Sequence, residues 1–234
     1  MRASAREPHS LRGNQKALSQ TAPKSEGRRI RVLVADDHPI VRAGLLALID
    51  GRPDMRVVAE AANWPEAVEK FFQQQPDVAL LDLRMPGMDG VTAIHTIRSQ
   101  IASARVILIT LYDGDEDIYR CLRAGARGYL LKDSPRDELV SGIRAVYEGK
   151  TCIPSAIASK LVDRLSMPAV SKRELDVLRL MAAGKSNKEI AALLGITEGT
   201  VKTHMNHILK KLKVGGRMEA AIQALRRGFV HLDD

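Results

Sequence analysis

Three carboxylates, a hydroxyl and a lysine stand at the ends of apolar runs. Asp36 and Asp37 follow Ile30-Arg31-Val32-Leu33-Val34-Ala35, and Asp82 ends Asp77-Val78-Ala79-Leu80-Leu81-Asp82. Thr110 ends Arg105-Val106-Ile107-Leu108-Ile109-Thr110, and Lys132 ends Gly128-Tyr129-Leu130-Leu131-Lys132. Short apolar runs of this kind read as strands buried on both faces. In an open α/β sheet, ligands bind outside the carboxyl ends of the strands. Three carboxylates gathered there repel unless a cation or a proton intervenes. A hard divalent ion with oxygen ligands, Mg2+, fits such a cluster. An aspartate oxygen can then accept a phosphoryl group as a nucleophile. Lys132 would neutralise charge on that group, and Thr110 would offer it a hydroxyl. The plain alternative for each acid is a strand-end Asp capping the next helix, because Asp is common in turns.

The elements that would position these groups alternate. Pro39 opens a helix that ends before Gly51, since a proline loses nothing at the first helical position. Met55–Ala62 reads as a strand and Pro65–Gln75 as a helix. Leu83-Arg84-Met85-Pro86-Gly87-Met88-Asp89-Gly90 is turn chemistry, and a helix over Val91–Ser99 follows it. Asp115–Ala124 is helical and stops at Gly125. Ser134 as cap and Pro135 as first helical residue open a last helix to about Glu148. Strand and helix alternate five times, which predicts a doubly wound, five-stranded parallel sheet with right-handed crossovers.

Beyond residue 150 the pattern changes. Residues 151–170 read as a linker with helical character in Ser155–Leu165, and then only helices follow. Ser171–Glu174 and Ser186–Glu189 are capping boxes. Gly195 makes a turn, Thr197 caps a helix to about Leu212, and a fourth helix runs from about Arg217 to Arg227. Lys188–Leu194, turn, Glu198–Leu212 is the unit of a helix-turn-helix. On its second helix Val201, Met205, Ile208, Leu209 and Leu212 form an apolar stripe. Lys202, Thr203 and Asn206 fall on the other side, as an exposed face that fits the major groove. Lys188, Lys210, Lys211 and Lys213 are phosphate contacts in this reading, positioning without specifying. Each is equally readable as a solvated surface charge.

Charge follows the same division. The chain of 234 residues carries a net charge of +8, but residues 171–234 hold twelve basic against seven acidic groups, whereas residues 30–150 hold fifteen against eighteen. A basic end beside an acidic middle suggests two domains with different partners, the basic one meeting nucleic acid. Aromatics at 3% are too few for platforms that stack single-stranded bases. Cys121 and Cys152 make neither a disulfide framework nor a metal motif, which points to reduced thiols in a cytoplasmic protein. No apolar run reaches the roughly 20 residues of a membrane span, so no membrane partner is expected. Residues 1–29 are basic, aperiodic and poor in large apolar groups, the composition of a disordered tail.

With these motifs in view, residues 30–150 resemble a receiver domain of bacterial two-component signalling, of flavodoxin-like topology. From Ile30 onward the chain resembles a NarL/FixJ-type response regulator. Ser171–Val230 is close to LuxR-type helix-turn-helix domains, including Ser186-Asn187-Lys188-Glu189-Ile190-Ala191 and Thr200-Val201-Lys202-Thr203-His204. The resemblance implies Asp82 as phosphoacceptor and Asp36, Asp37, Asp82 and the backbone carbonyl of Arg84 as Mg2+ ligands. It implies Thr110 and Lys132 as groups engaging the phosphoryl, and Tyr129 as an aromatic that turns inward on activation. Lys202, Thr203 and Asn206 would face base edges. The partners implied are a sensor histidine kinase, paired half-sites of double-stranded DNA, a second copy of the chain when phosphorylated, and RNA polymerase. In such proteins the inactive receiver often covers the recognition helix. Two departures stand out: Asp133 follows the lysine where a proline is usual, and Leu111 follows the hydroxyl where a small residue is usual.

The function expected is a phosphorylation-dependent transcriptional regulator, with at most weak self-dephosphorylation rather than an enzyme's turnover. A phosphohydrolase of the haloacid dehalogenase type would need a second Asp two residues past Asp82, where Arg84 stands. The remaining rival is a DNA-binding regulator controlled by a ligand or protein partner and indifferent to phosphorylation.

Overall fold

The structure, a computed structural model, describes residues 28–111 and 114–230. The tail expected over residues 1–29 lies, but for its last two residues, outside the described residues. Strands β1 (Ile30–Ala35), β2 (Met55–Ala61), β3 (Val78–Asp82), β4 (Val106–Thr110) and β5 (Gly128–Leu131) alternate with five helices. These are α1 (Pro39–Asp50), α2 (Trp64–Gln74), α3 (Gly90–Gln100), α4 (Asp115–Ala124) and α5 (Arg136–Tyr147). The sheet is parallel in the order β2-β1-β3-β4-β5. The order reverses between β1 and β3, so the crevice at their carboxyl ends is the place where a doubly wound sheet binds ligands.

The unbroken apolar runs are explained by burial on both faces. Successive side chains of a strand point to opposite sides. Leu33, Ala35, Ala79, Leu81, Val106, Leu108 and Tyr129 enter the core under α2, α3 and α4. Val32, Val34, Val78, Leu80, Ile107, Ile109 and Leu130 enter the one under α1 and α5. Caps set where helices begin: Asn63 accepts from Glu66 N at 2.9 Å for α2, and Asp89 from Thr92 N at 3.3 Å for α3. The cap expected at Ser134 does not form. Pro135 is itself the residue before α5, extended at φ −52° and ψ 142°, and makes no side-chain cap. Its fixed φ combined with an extended ψ starts the helix one residue late, at Arg136.

The 151–170 segment is docked on the sheet. Cys152 pairs with Gly128 at the edge of β5, giving Tyr129 N a carbonyl at 2.9 Å. This covers an otherwise open strand edge. Helix α6 (Ser155–Ser166) then lies against α4, burying Ile157 in the sheet's core and Arg164 against Glu116.

Four helices follow: α7 (Lys172–Ala182), α8 (Asn187–Leu194), α9 (Glu198–Leu212) and α10 (Arg217–Arg227). Both capping boxes form, Ser171 with Glu174 and Ser186 with Glu189. Val177, Leu178, Met181, Ile190, Val201, Ile208, Ala220 and Ala224 make a separate core. The stripe read on α9 is its inward side.

Candidate functional site

Asp36 and Asp82 leave adjacent strands at the point where strand order reverses, and Lys132 reaches them from the end of β5. Lys132 Nζ stands 2.7 Å from Asp36 Oδ2 and 2.8 Å from Asp82 Oδ2. Asp82 Oδ1 accepts from Arg84 N at 3.2 Å, and Asp36 Oδ1 accepts from His38 N at 2.9 Å. Thr110 is buried at the end of β4, where its carbonyl holds Lys132 N at 2.8 Å. Every group expected at this edge is there.

The electrostatics follow from burial. Asp36 is fully buried and Asp82 is 2% exposed. Burial raises the Asp82 carboxyl above the usual range, and the Lys132 ammonium opposes that rise. Burial alone would lower Lys132, but Asp36 and Asp82 together hold it above its ordinary value. The lysine is therefore a fixed cation and Asp82 a carboxylate more basic than usual.

Asp36, Asp37, His38 and Asp82 each place one ligand atom within 4.8 Å of the others'. Oxygen donors of this type suit a hard divalent cation. Asp37 is half-buried and lines a cavity of about 550 Å³ with Arg84, Met85, Asp89, Asp117 and Arg120. Two contacts of this site were outside the sequence reading. His38 Nδ1 lies 2.7 Å from Asp37 Oδ1, and Arg42 donates to the Asp36 carbonyl at 2.7 Å. Neither has a signal beyond proximity in sequence and helical spacing.

One expectation is corrected: Lys211, read as a DNA phosphate contact, is engaged within the protein. Its Nζ is 2.6 Å from Glu174 Oε2 and 2.8 Å from the Ala169 carbonyl, neutralising a buried carboxylate. Tyr129 has no exposure at all: β5 carries it beneath α4, in one core with Ile118, Cys121 and Ile157 of α6. Tyr129 thus stands in the inward position in this arrangement. The recognition helix is not covered by the receiver. Lys202, Thr203 and Asn206 are exposed on α9, and the domains meet instead through α10 and α4.

The exposure expected on the helix-turn-helix face is observed. Lys188, Lys210 and Lys213 are exposed. Thr203 Oγ1 donates to the Gly199 carbonyl at 3.1 Å, which leaves its lone pairs free to accept. Gly195 turns the chain at φ 64° between α8 and α9.

The site has three arginine partners that sequence did not show. Asp115, Glu116 and Asp117 form the first turn of α4 and meet Arg227, Arg164 and Arg84 respectively. Acids in a first helical turn are explained by the helix dipole alone, and their partners lie up to 112 residues away.

A doubly wound acidic-pocket domain joined to a helix-turn-helix is the architecture of a DNA-binding response regulator. The family model for the response regulator receiver domain matches residues 32–144, and that for bacterial regulatory proteins of the luxR family matches residues 168–224. The transcriptional regulatory protein LiaR of Bacillus subtilis is 41% identical over 210 residues, covering 86% of this chain and 100% of LiaR. The nitrate/nitrite response regulator protein NarL of Escherichia coli K12 is 37% identical over 200 residues, covering 82% and 93%. The structure of RcsB from Salmonella enterica serovar Typhimurium, bound to a promoter in the presence of phosphomimetic BeF3−, superposes with a TM-score of 0.67 at 26% identity, covering 84% and 98%. The chain belongs to the NarL/FixJ-type two-component response regulators, transcriptional regulators with a receiver and a LuxR-type DNA-binding domain.

Proposed function

We propose that this regulator is switched by phosphoryl transfer from a sensor histidine kinase to Asp82. The observation that carries the reading is Lys132 bridging Asp36 and Asp82 at 2.7 and 2.8 Å, a cation already seated beside a buried, basic carboxylate. A carboxylate oxygen of Asp82 attacks phosphorus. The P–O bond forms as the P–N bond to the donor histidine breaks, and the electron pair returns to the imidazole. Lys132 then serves the phosphoryl oxygens, and Thr110 moves its hydroxyl toward them. Asp36, Asp37, Asp82 and the Arg84 carbonyl would hold Mg2+, which when bound supplies charge neutralisation for the incoming group. Tyr129, packed inward in the core with Ile118 and Cys121 of α4, would hold that inward position in the activated state.

At the other end, Lys202 and Asn206 suit guanine and adenine edges in the major groove, and Thr203 either. Lys188, Lys210 and Lys213 position the domain on phosphates. A phosphorylated homodimer would read paired half-sites about one DNA turn apart and present the complex to RNA polymerase. Among the described residues no helix is long and apolar enough to cross a membrane, in keeping with a cytoplasmic regulator.

One observation favours the rival, phosphorylation-independent reading: the recognition face is already exposed in this arrangement. Intact mass after treatment with a small phosphodonor and Mg2+ separates the two. Wild type should gain one phosphoryl group and Asp82→Asn none; no gain in wild type sinks the phosphoryl-transfer reading.

A further inference from the structure

His38 occupies the N-cap of α1. That position favours Ser, Thr, Asp or Asn, because a short side-chain oxygen there accepts from the helix's first backbone N–H groups. The His38 side chain makes no such bond. Its backbone is extended at φ −86° and ψ 110°, and Pro39 begins the helix directly after it. The ring is turned back over the acidic pair instead. Nδ1 lies 2.7 Å from Asp37 Oδ1 and 3.4 Å from Asp36 Oδ1. Asp37 Oδ1 is shut away from solvent, yet among the described residues no group donates a hydrogen bond to it. The ring nitrogen and this oxygen are therefore close without being aligned as donor and acceptor. Lys132 takes the Oδ2 atoms of Asp36 and Asp82, and the Oδ1 atoms of both accept only from backbone N–H groups, of His38 and Arg84. A carboxylate oxygen that accepts one hydrogen bond keeps a further lone pair.

Two donors bound at right angles to one divalent ion, each about 2.1 Å from it, stand about 3 Å apart. The separations of 2.7 and 3.4 Å bracket that value, and His38, Asp36, Asp37 and Asp82 each bring one donor atom within 4.8 Å of the others'. A buried oxygen without a donor and a ring nitrogen aimed at the same space suit a shared cation. We propose that His38 is a nitrogen ligand of the divalent cation in the acidic pocket, and that it shifts the pocket's selectivity from Mg2+ toward first-row transition ions such as Fe2+, Ni2+ and Zn2+. The inference rests on the reading of Asp36, Asp37 and Asp82 as a divalent-cation site. Mg2+ is a hard ion that takes oxygen donors and gains little from imidazole, whereas imidazole suits the later first-row ions. Neutral imidazole has one nitrogen free to bind, and the other carries a proton that needs a partner. The His38 side chain is 64% exposed, so water serves Nε2–H and Nδ1 is left for the ion. The pocket then fills at lower concentrations of these ions than carboxylates alone would require, and acceptance of a phosphoryl group by Asp82 follows their supply.

The test is calorimetric titration of the full chain with Mg2+ alone and with Ni2+ alone, joined to electron paramagnetic resonance of a sub-equivalent amount of Cu2+, in which a bound nitrogen splits the signal. Wild type should bind Ni2+ more tightly than Mg2+ and show nitrogen splitting. His38→Ala should lose on the order of tenfold or more in Ni2+ affinity and the splitting, while its Mg2+ affinity stays within about twofold. His38→Asn, a residue that caps helices well and has no ring nitrogen, should behave as His38→Ala does, which separates the ligand from the start of α1. Asp37→Asn should weaken both ions. His38 variants that bind Ni2+ as tightly as wild type, or keep the splitting, overturn the proposal. Equal losses for Mg2+ and Ni2+ in both variants overturn it too, since they make the ring a support for Asp37 and not a ligand. Wild type that binds neither ion, or binding that survives Asp37→Asn unchanged, overturns the divalent-cation reading of the pocket beneath the proposal, and the proposal with it.

Discussion

Lys132 sets its ammonium 2.8 Å from Asp82 Oδ2 although the two residues are 50 positions apart. The cation also answers Asp36, so one lysine compensates two buried acids. Lys132→Met should destabilise the protein by about 3 kcal/mol, because it strands buried charge. The double variant with Asp82→Asn should recover part of that loss. Asp82→Asn alone removes a carboxylate whose charged form burial disfavours. Without metal its Tm should therefore lie above that of wild type at neutral pH. Thermal melts of the three variants check both statements.

The pair Glu174–Lys211 should behave as structure, not as a DNA contact. Lys211→Met leaves the buried Glu174 without its cation, held by Ser171, and should cost about 3 kcal/mol. Burial pushes the Glu174 carboxyl up, but Lys211 and Ser171 overcome that and hold it below the usual range. A depressed carboxylate stabilises the fold above its unfolded value near about 4.3, and that stability is lost as pH falls through the lower folded value. Unfolding measured against pH should show this acid loss in wild type and not in Glu174→Gln.

DNA binding should separate the lysines. Lys202→Ala and Asn206→Ala should each cost about 1–3 kcal/mol and relax preference at one base. Lys188→Ala and Lys213→Ala should weaken binding to all sequences and reduce the salt slope by about 1 each. Titrations at several salt concentrations distinguish the two groups. A Lys202→Ala that weakens specific and random DNA equally would remove it from the base-reading set.

Ile157 ties α6 to the sheet. Ile157→Ala should cost about 2–4 kcal/mol through the cavity it leaves, and should loosen the core it shares with Tyr129. Tyrosine fluorescence quenching together with denaturant unfolding reads both effects.

Much of this was legible in sequence because burial on both faces writes a strand as an unbroken apolar run. Strand ends then located Asp36, Asp82, Thr110 and Lys132 on one edge without reference to distance. The helix-turn-helix was legible through its caps, Ser186 with Glu189 and Thr197 with Thr200, which are local. What stayed hidden depends on contacts between distant elements. Nothing near Arg164 or Arg227 announces an acidic partner on α4, and nothing near Lys211 announces Glu174.

The most direct test of the central claim is DNA affinity with and without phosphodonor, for wild type and Asp82→Asn, at one fixed salt concentration on a duplex carrying paired half-sites. The account predicts that phosphodonor tightens binding by wild type by about tenfold or more, equal to roughly 1.4 kcal/mol, and leaves Asp82→Asn unchanged. Equal binding by the two proteins under both conditions would contradict it, and would make a ligand or a partner protein the input to this regulator.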